Sequence, residues 1–117
     1  MKSIEIKRVY ENKLADGTYR ILVDRLWPRG IKKIDLYLDE WDKAIAPTPL
    51  LRKWFNHEAE HFNEFEILYR KELVDKKEAL IRLKDIAQKN SLTLLYGAKD
   101  TKINHAIILK KVLMEPL

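Results

Sequence analysis

Two short stretches of this chain carry groups that could hold or transform an anion. The first, Asp24 to Gly30, reads DRLWPRG and follows the apolar run Ile21-Leu22-Val23. The second, Tyr96 to Asp100, reads YGAKD, with Asn104 and His105 shortly after it. Arginine grips a phosphate or carboxylate through paired N–H donors, and a helix start adds unpaired backbone N–H groups and the positive end of a dipole. If the two stretches meet, Arg25, Arg29 and Lys99 bind charge, Trp27 and Tyr96 supply stacking walls, and Asn104 contributes an amide. His105, whose unperturbed pKa lies near neutrality, and Asp100 are then the candidates for handling or orienting a proton. The competing reading is structural: Arg25 pairs with Asp24 or Asp100, and Trp27 simply packs.

A third stretch, His57-Glu58-Ala59-Glu60-His61, matches HExxH letter for letter. In zinc proteases that motif sits on one helix, so that two histidines four residues apart bind metal while the glutamate acts as base. Here it follows Asn56 at an expected helix start, no third ligand has a signature spacing, and Phe62 and Phe65 beside it read as core. A zinc-dependent hydrolase using His57, Glu58 and His61 is therefore the weakest of three readings, and neither a metal nor a cofactor is assigned. The GAKDT stretch from Gly97 to Thr101 lacks the glycine and lysine spacing of a phosphate loop, and GxGxxG does not occur, so nucleotide triphosphatase chemistry is not expected.

Composition narrows the classes further. The 117 residues fit one α/β domain, and 46% apolar with 35% charged residues suits a core under a hydrated surface. Cysteine is absent, which excludes disulfides, thiolate metal sites and a cysteine nucleophile. Lysine and arginine number 23 against 18 acids, a net +5 that favours anionic partners. That excess is spread out rather than gathered into an arm, so nucleic-acid binding is the alternative and not the first choice. Trp41 beside Lys43, and Trp54 beside Arg52-Lys53, interleave rings with cations as a strand-binding surface would, but core rings flanked by snorkelling cations explain the pattern more simply. The N-terminus MKSIEIKRVY has no hydrophobic signal core, no apolar run is long enough for a bilayer, and a cytoplasmic protein without membrane contact is expected.

The elements that must position these groups follow from periodicity. Ser3 to Tyr10 alternates as a strand, and Asp16-Gly17 marks a turn. Thr18 to Trp27 reads as a strand buried on both faces, ended by Pro28 and Gly30. Ile31 to Ala46 is expected to be a loop with a third extended segment. Thr48 and Pro49 predict a helix start, with Leu50, Leu51, Trp54 and Phe55 on its apolar face. Phe62, Phe65, Tyr69 and Leu73 predict a second helix. Asp75 is the expected cap of a third, along which Ala79, Leu80, Leu83, Ile86 and Ala87 share a face before a stop at Asn90. Ser91 to Ala98 predicts a buried strand, and Asp100 or Thr101 is expected to cap a final helix running to about Met114. The order predicts a small mixed, partly parallel sheet of about four strands with helices packed on it. In such sheets ligands bind beyond the carboxyl ends of the strands.

VDRLWPRGI, EWDKAIAPTPLLRKWF, EFEILYRKEL and LTLLYGAKDTKINHAIILKKVL together resemble the short members of the domain-of-unknown-function family 488, over nearly the whole chain from Ile4 to Leu113. The resemblance implies an intracellular, mostly bacterial, small α/β protein. Longer relatives carry additional cysteines and a Cys-His-Arg triplet where this chain has Asn104-His105-Ala106, so that only His105 carries over. Short members resemble this chain at His57 and not at His61, which leaves half of the HExxH match incidental. The sequence thus points to a pocket for a small phosphate-, nucleotide- or carboxylate-containing ligand, with any catalysis noncovalent or using a water or hydroxyl nucleophile.

Overall fold

Leu92, Thr93, Leu94, Leu95 and Tyr96 are all buried, and this run forms the interior strand on which the molecule is built. The computed structural model describes residues 3–116. Its strands β1 (Ile4–Arg8), β2 (Tyr19–Leu22), β3 (Glu40–Trp41) and β4 (Leu92–Tyr96) form one sheet in the order β1-β4-β2-β3. The α/β class and the four strands are as expected. The mixture of directions is not, because all three pairings are parallel. Even β2 and β3, neighbours in the chain, are joined by the long segment from Val23 to Asp39 instead of a hairpin turn, so the chain returns to the same end of the sheet before pairing.

β2 pairs only as far as Leu22, with one further bond from the Val23 N–H to the Leu95 carbonyl at 3.0 Å. The sequence reading carried this strand on to Trp27. Asp24 to Arg29 instead leave the sheet as a loop, where the Asp24 and Arg25 side chains hydrogen-bond to Gly97 and to the Ala46 and Pro47 carbonyls.

Alternation sorts the strands onto two faces. Ile4, Ile21, Val23, Leu92, Leu94 and Tyr96 join one apolar cluster with residues from every helix. Leu22 and Leu95 join a smaller cluster with Val9, Ile31 and Leu36, which the loop before β3 closes. The helices are α1 (Pro49–Phe55), α2 (Phe62–Val74), α3 (Lys77–Lys89) and α4 (His105–Met114). None is long and apolar enough to cross a membrane.

Thr48 caps α1 as expected, its side chain accepting from the Leu51 N–H at 3.3 Å. Only Leu51 and Phe55 of its apolar residues are buried; Leu50 and Trp54 are 81% and 39% exposed, because a seven-residue helix turns just one i,i+4 pair toward the core. α2 buries Phe65, Tyr69 and Leu73 at spacings of four. Asp75 does not cap α3: it closes α2, and α3 follows Lys76 without a side-chain cap. Nor does Asp100 or Thr101 cap α4. Asn104 does, accepting from the Ile107 N–H at 3.1 Å, while Asp100 accepts from Lys102 and Ile103 in the turn before it. Aspartate satisfies N–H groups two and three residues ahead, so it organises whichever turn lies next to it.

A fully buried arginine holds the loop-covered face. Arg20 donates through Nη1 to Asp16 at 2.9 Å, through Nη2 to the Asn12 carbonyl at 2.5 Å and through Nε to the Tyr37 carbonyl at 2.9 Å. Burial of Asp16 works against its charge, but hydrogen bonds from Thr18 and Lys7, together with Arg20, outweigh it and hold the carboxyl well below the usual carboxylate range. A folded-state pKa below the unfolded value of about 3.9 stabilises the fold above that value, and the contribution is lost as pH falls through the folded pKa. Asp16→Asn should therefore lower Tm at neutral pH and flatten the loss of stability on acidification below about pH 4. Thermal melts from pH 7 to pH 2 check this, and parallel curves for the two proteins would refute it.

Candidate functional site

A parallel sheet brings the carboxyl ends of all its strands to one edge, and the last backbone groups there need partners from outside the ladder. Asp24, the second residue beyond β2, supplies one. Its Oδ2 accepts from the Gly97 N–H, the first beyond β4, at 2.8 Å. A Cβ on Gly97 would lie 3.1 Å from that oxygen, so glycine lets the carboxylate come this close. His105, the first residue of α4, places Nε2 2.9 Å from the Val23 carbonyl and 3.3 Å from Asp24 Oδ1. A carbonyl can only accept, which assigns the proton to Nε2. With that N–H directed at Val23, Asp24 Oδ1 is left buried and without a hydrogen-bond partner among the described residues.

Around this junction lies a cavity of about 330 Å³, lined by the Asp24–Arg29 loop, Gly97, Ala98, Asn104 and His105, and across from them by residues of α1, α2 and the turn between these helices. The two stretches singled out in the sequence do meet. Arg25, Trp27, Arg29, Asn104 and His105 line this cavity. Tyr96 does not: its side chain belongs to the core, where burial raises the phenol pKa despite nearby Arg8. Lys99 and Asp100 lie exposed on the loop before α4, outside the lining.

The lining groups differ in what they already hold. Arg25 donates to the carbonyls of Pro47 at 3.2 Å and Ala46 at 3.1 Å, fastening the segment before α1 over the strand ends. It forms no ion pair with Asp24 or Asp100. Trp27 donates to the Ile31 carbonyl at 2.6 Å and packs edge-on against Trp41, whose other neighbour is Lys43, 4.1 Å above the ring. Asn104 is buried as the cap of α4, its Nδ2 donating to the Asp100 carbonyl at 2.9 Å. The ion pairs of the described residues engage Arg8, Arg20, Arg70 and Arg82. Arg29 is outside them and exposed at the cavity.

Among the basic residues of the lining, Arg52 and His57 were not foreseen as such. Arg52 is an exposed residue of α1 that only the tertiary fold turns toward the strand ends. His57 arrives there by an unusual turn: Asn56 ends α1 at φ 48° and His57 follows at φ 55°, two successive left-handed residues without a glycine. Asparagine takes that conformation readily and histidine less so. The same turn removes the premise of the HExxH reading. α1 stops at Phe55, Ala59–His61 is a 3-10 turn, and α2 starts at Phe62, so His57 and His61 do not share a helix face. His61 instead stacks on Trp54 at 4.6 Å, and its donor atoms converge with those of exposed Glu58 and Glu60 but not with His57.

Residues 3–117 match the family described as the inactive DUF488-N3 subclade, DUF488-N3i. The chain is 53% identical over 107 residues to the uncharacterized protein YeaO of Escherichia coli strain K12, an alignment covering 92% of this chain and 93% of that one. It is 36% identical over 110 residues to the uncharacterized proteins Mb3100c of Mycobacterium bovis and Rv3073c of Mycobacterium tuberculosis strain H37Rv, spanning 94% of this chain and 92% of each of those. No solved structure matches.

The tight Gly97–Asp24 approach is testable by a double-mutant cycle. Gly97→Ala should destabilise the protein by about 1–3 kcal/mol, as overpacking commonly does, and by much less in an Asp24→Ala background. Denaturant unfolding of the four proteins measures both terms; additive effects would show that Cβ and carboxylate do not compete for one space.

Proposed function

This chain belongs to the inactive DUF488-N3 subclade, and on that premise we propose that it binds a small anionic ligand at the carboxyl ends of its parallel strands without turning it over. One observation carries the reading: the cavity of about 330 Å³ is lined by three arginines and a single carboxylate. Its volume falls at the lower end of the roughly 300–1,000 Å³ range of small-molecule sites, which suits a compact phosphate or carboxylate compound. Arg29 and Arg52 are the charge-binding residues, since their guanidinium groups are outside the ion pairs of the described residues. Arg25 contributes field from a fixed position, and the rings of Trp27 and Tyr10 form walls.

Binding without turnover also fits the state of the proton-handling candidates. His105 holds Val23 through Nε2, and Asp100 is engaged by two backbone N–H groups on an exposed loop outside the lining. Neither stands ready to move a proton at a ligand. The nucleic-acid alternative finds less support, because four arginines are paired with carboxylates and the remaining basic groups form no continuous stripe in the sequence.

Thermal shift measurements with phosphate, pyrophosphate, citrate and nucleoside monophosphates test the proposal. At least one should raise Tm of the unaltered protein at low salt, and Arg29→Ala/Arg52→Ala should remove the shift while leaving Tm without added anion within about 2 °C, since neither side chain supports the fold. Arg25→Ala should lower Tm even without ligand, because the Pro47 carbonyl loses its side-chain donor and the Ala46 carbonyl keeps only Lys76. Equal shifts in the double variant and the unaltered protein would overturn the assignment.

A further inference from the structure

α1 turns Leu51 and Phe55 to the core and leaves Leu50 and Trp54 outside, 81% and 39% exposed. With Leu68 of α2 they line a groove of about 640 Å³ that shares no residue with the cavity at the strand ends. Ile67, beside Leu68, is 58% exposed. Single exposed apolar residues need no explanation, but several gathered at one groove mark a contact surface. The charges around them indicate what covers it. Glu64, Ile67, Leu68 and Lys71 fall at i, i+3, i+4 and i+7, so they form one stripe along the outer side of α2. That stripe has an acid at one end, a base at the other and the two apolar residues at its midpoint. Glu64 and Lys71 are exposed, line the groove and take no part in the ion pairs of the described residues. About 10.5 Å of helix axis separates them, too far for a pair within one copy. Glu72, the other charged residue of the groove, already accepts from Thr48 through both oxygens.

We propose that this face takes a second copy of the chain, with two α2 helices crossing antiparallel about a two-fold axis between Ile67 and Leu68. A two-fold contact presents one patch to itself, so the patch must be self-complementary. An antiparallel two-fold maps position 64 onto position 71 of the other copy, and position 67 onto position 68. Glu64 of each copy thereby meets Lys71 of the other, twice per interface. Ile67 and Leu68 pack against the same pair, and Leu50 and Trp54 widen the apolar contact from α1. Charges at such a rim set orientation more than affinity, which the apolar centre supplies. The helix dipole explains an acid in the first turn of α2 and a base in the last. It does not explain the exposed apolar residues between them or those on α1. A strongly acidic or basic partner suits the groove less well, because its rim carries both signs. This contact is independent of the anion site, whose lining it does not touch.

Sedimentation equilibrium at low salt, from about 1 µM to about 1 mM chain, tests the contact. The unaltered protein should rise toward twice the chain mass across that range. Glu64→Lys and Lys71→Glu should each weaken association about tenfold or more, since either change turns both rim pairs into like-charge contacts. The double variant Glu64→Lys/Lys71→Glu exchanges the two charges and should associate within about threefold of the unaltered protein. An equimolar mixture of the two single variants should do the same, because each supplies what the other lacks. Both reversals oppose the dipole of α2, so recovery in the double variant cannot come from a more stable fold. Should that variant fail to fold, the mixture still decides. A chain that stays monomeric at every concentration overturns the proposal, and so does a dimer that neither reversal weakens. A dimer weakened by each reversal and restored by neither combination overturns the antiparallel register. If the groove takes only an added amphipathic helical peptide, its partner is a different protein and the proposal falls as well.

Discussion

The structure depends on how the ends of two neighbouring parallel strands are closed. β2 and β4 run side by side, and their ladder stops with the bond from Val23 to Leu95. Beyond that point the Gly97 N–H and the Val23 carbonyl face the edge of the sheet with no strand partner. Asp24 takes the first and His105 takes the second. One carboxylate oxygen and one imidazole nitrogen thus replace the next rung of the ladder, and in doing so they lock the start of α4 against the end of β2. Glycine at 97 suits this closure, because a Cβ there would lie 3.1 Å from the carboxylate oxygen and crowd it.

Each face of the sheet is secured by different physics. On one face, Phe65, Tyr69, Leu73 and Leu83 pack against the strands as an ordinary apolar layer, and burial raises the Tyr69 phenol well above its usual pKa while its hydroxyl donates to the Ile45 carbonyl at 2.6 Å. Among the described residues the other face carries no α-helix. A small apolar cluster and the three-way grip of Arg20 hold the loop there. A buried guanidinium is expensive to desolvate unless its donors are met, and here two carbonyls and a carboxylate meet them. Such a clamp fixes direction as well as position, and it delivers the chain to β3 in register with β2.

Much of this was legible from residues alone, and the failures share a cause. Thr48-Pro49, Asn90 and the LTLLY strand were identified correctly because their signals are local: a cap, a stop, a run buried on both faces. The meeting of DRLWPRG with the start of the last helix followed from one topological rule about parallel strands. What the sequence hid was the choice among several aspartates. Asp24, Asp75 and Asp100 all precede plausible caps or partners, and only the fold reveals that Asp24 spans strands while Asp75 closes one helix and Asp100 organises a turn. The same holds for arginine. Arg20 looked like a strand residue among others and is fully buried; Arg25 looked like a ligand group and is engaged by two carbonyls; Arg52 was read only as a cation beside Trp54, because the cavity it lines is built from segments far away in sequence.

These assignments separate the groups that close the sheet edge from those that merely line the cavity. Catalysis asks a group to change protonation or partner during the reaction, whereas structural closure asks it to keep one partner permanently. At this edge the imidazole of His105 serves closure through Nε2, and so does one oxygen of Asp24. What closure leaves over is the second oxygen of that carboxylate, together with Arg29 and Arg52, whose side chains the fold does not use. Exposed Arg29 and Arg52 stand with His57 in the same lining, and none of the three closes the sheet edge. The sheet that forces the closure is also what holds the Asp24 carboxylate in place at the cavity wall.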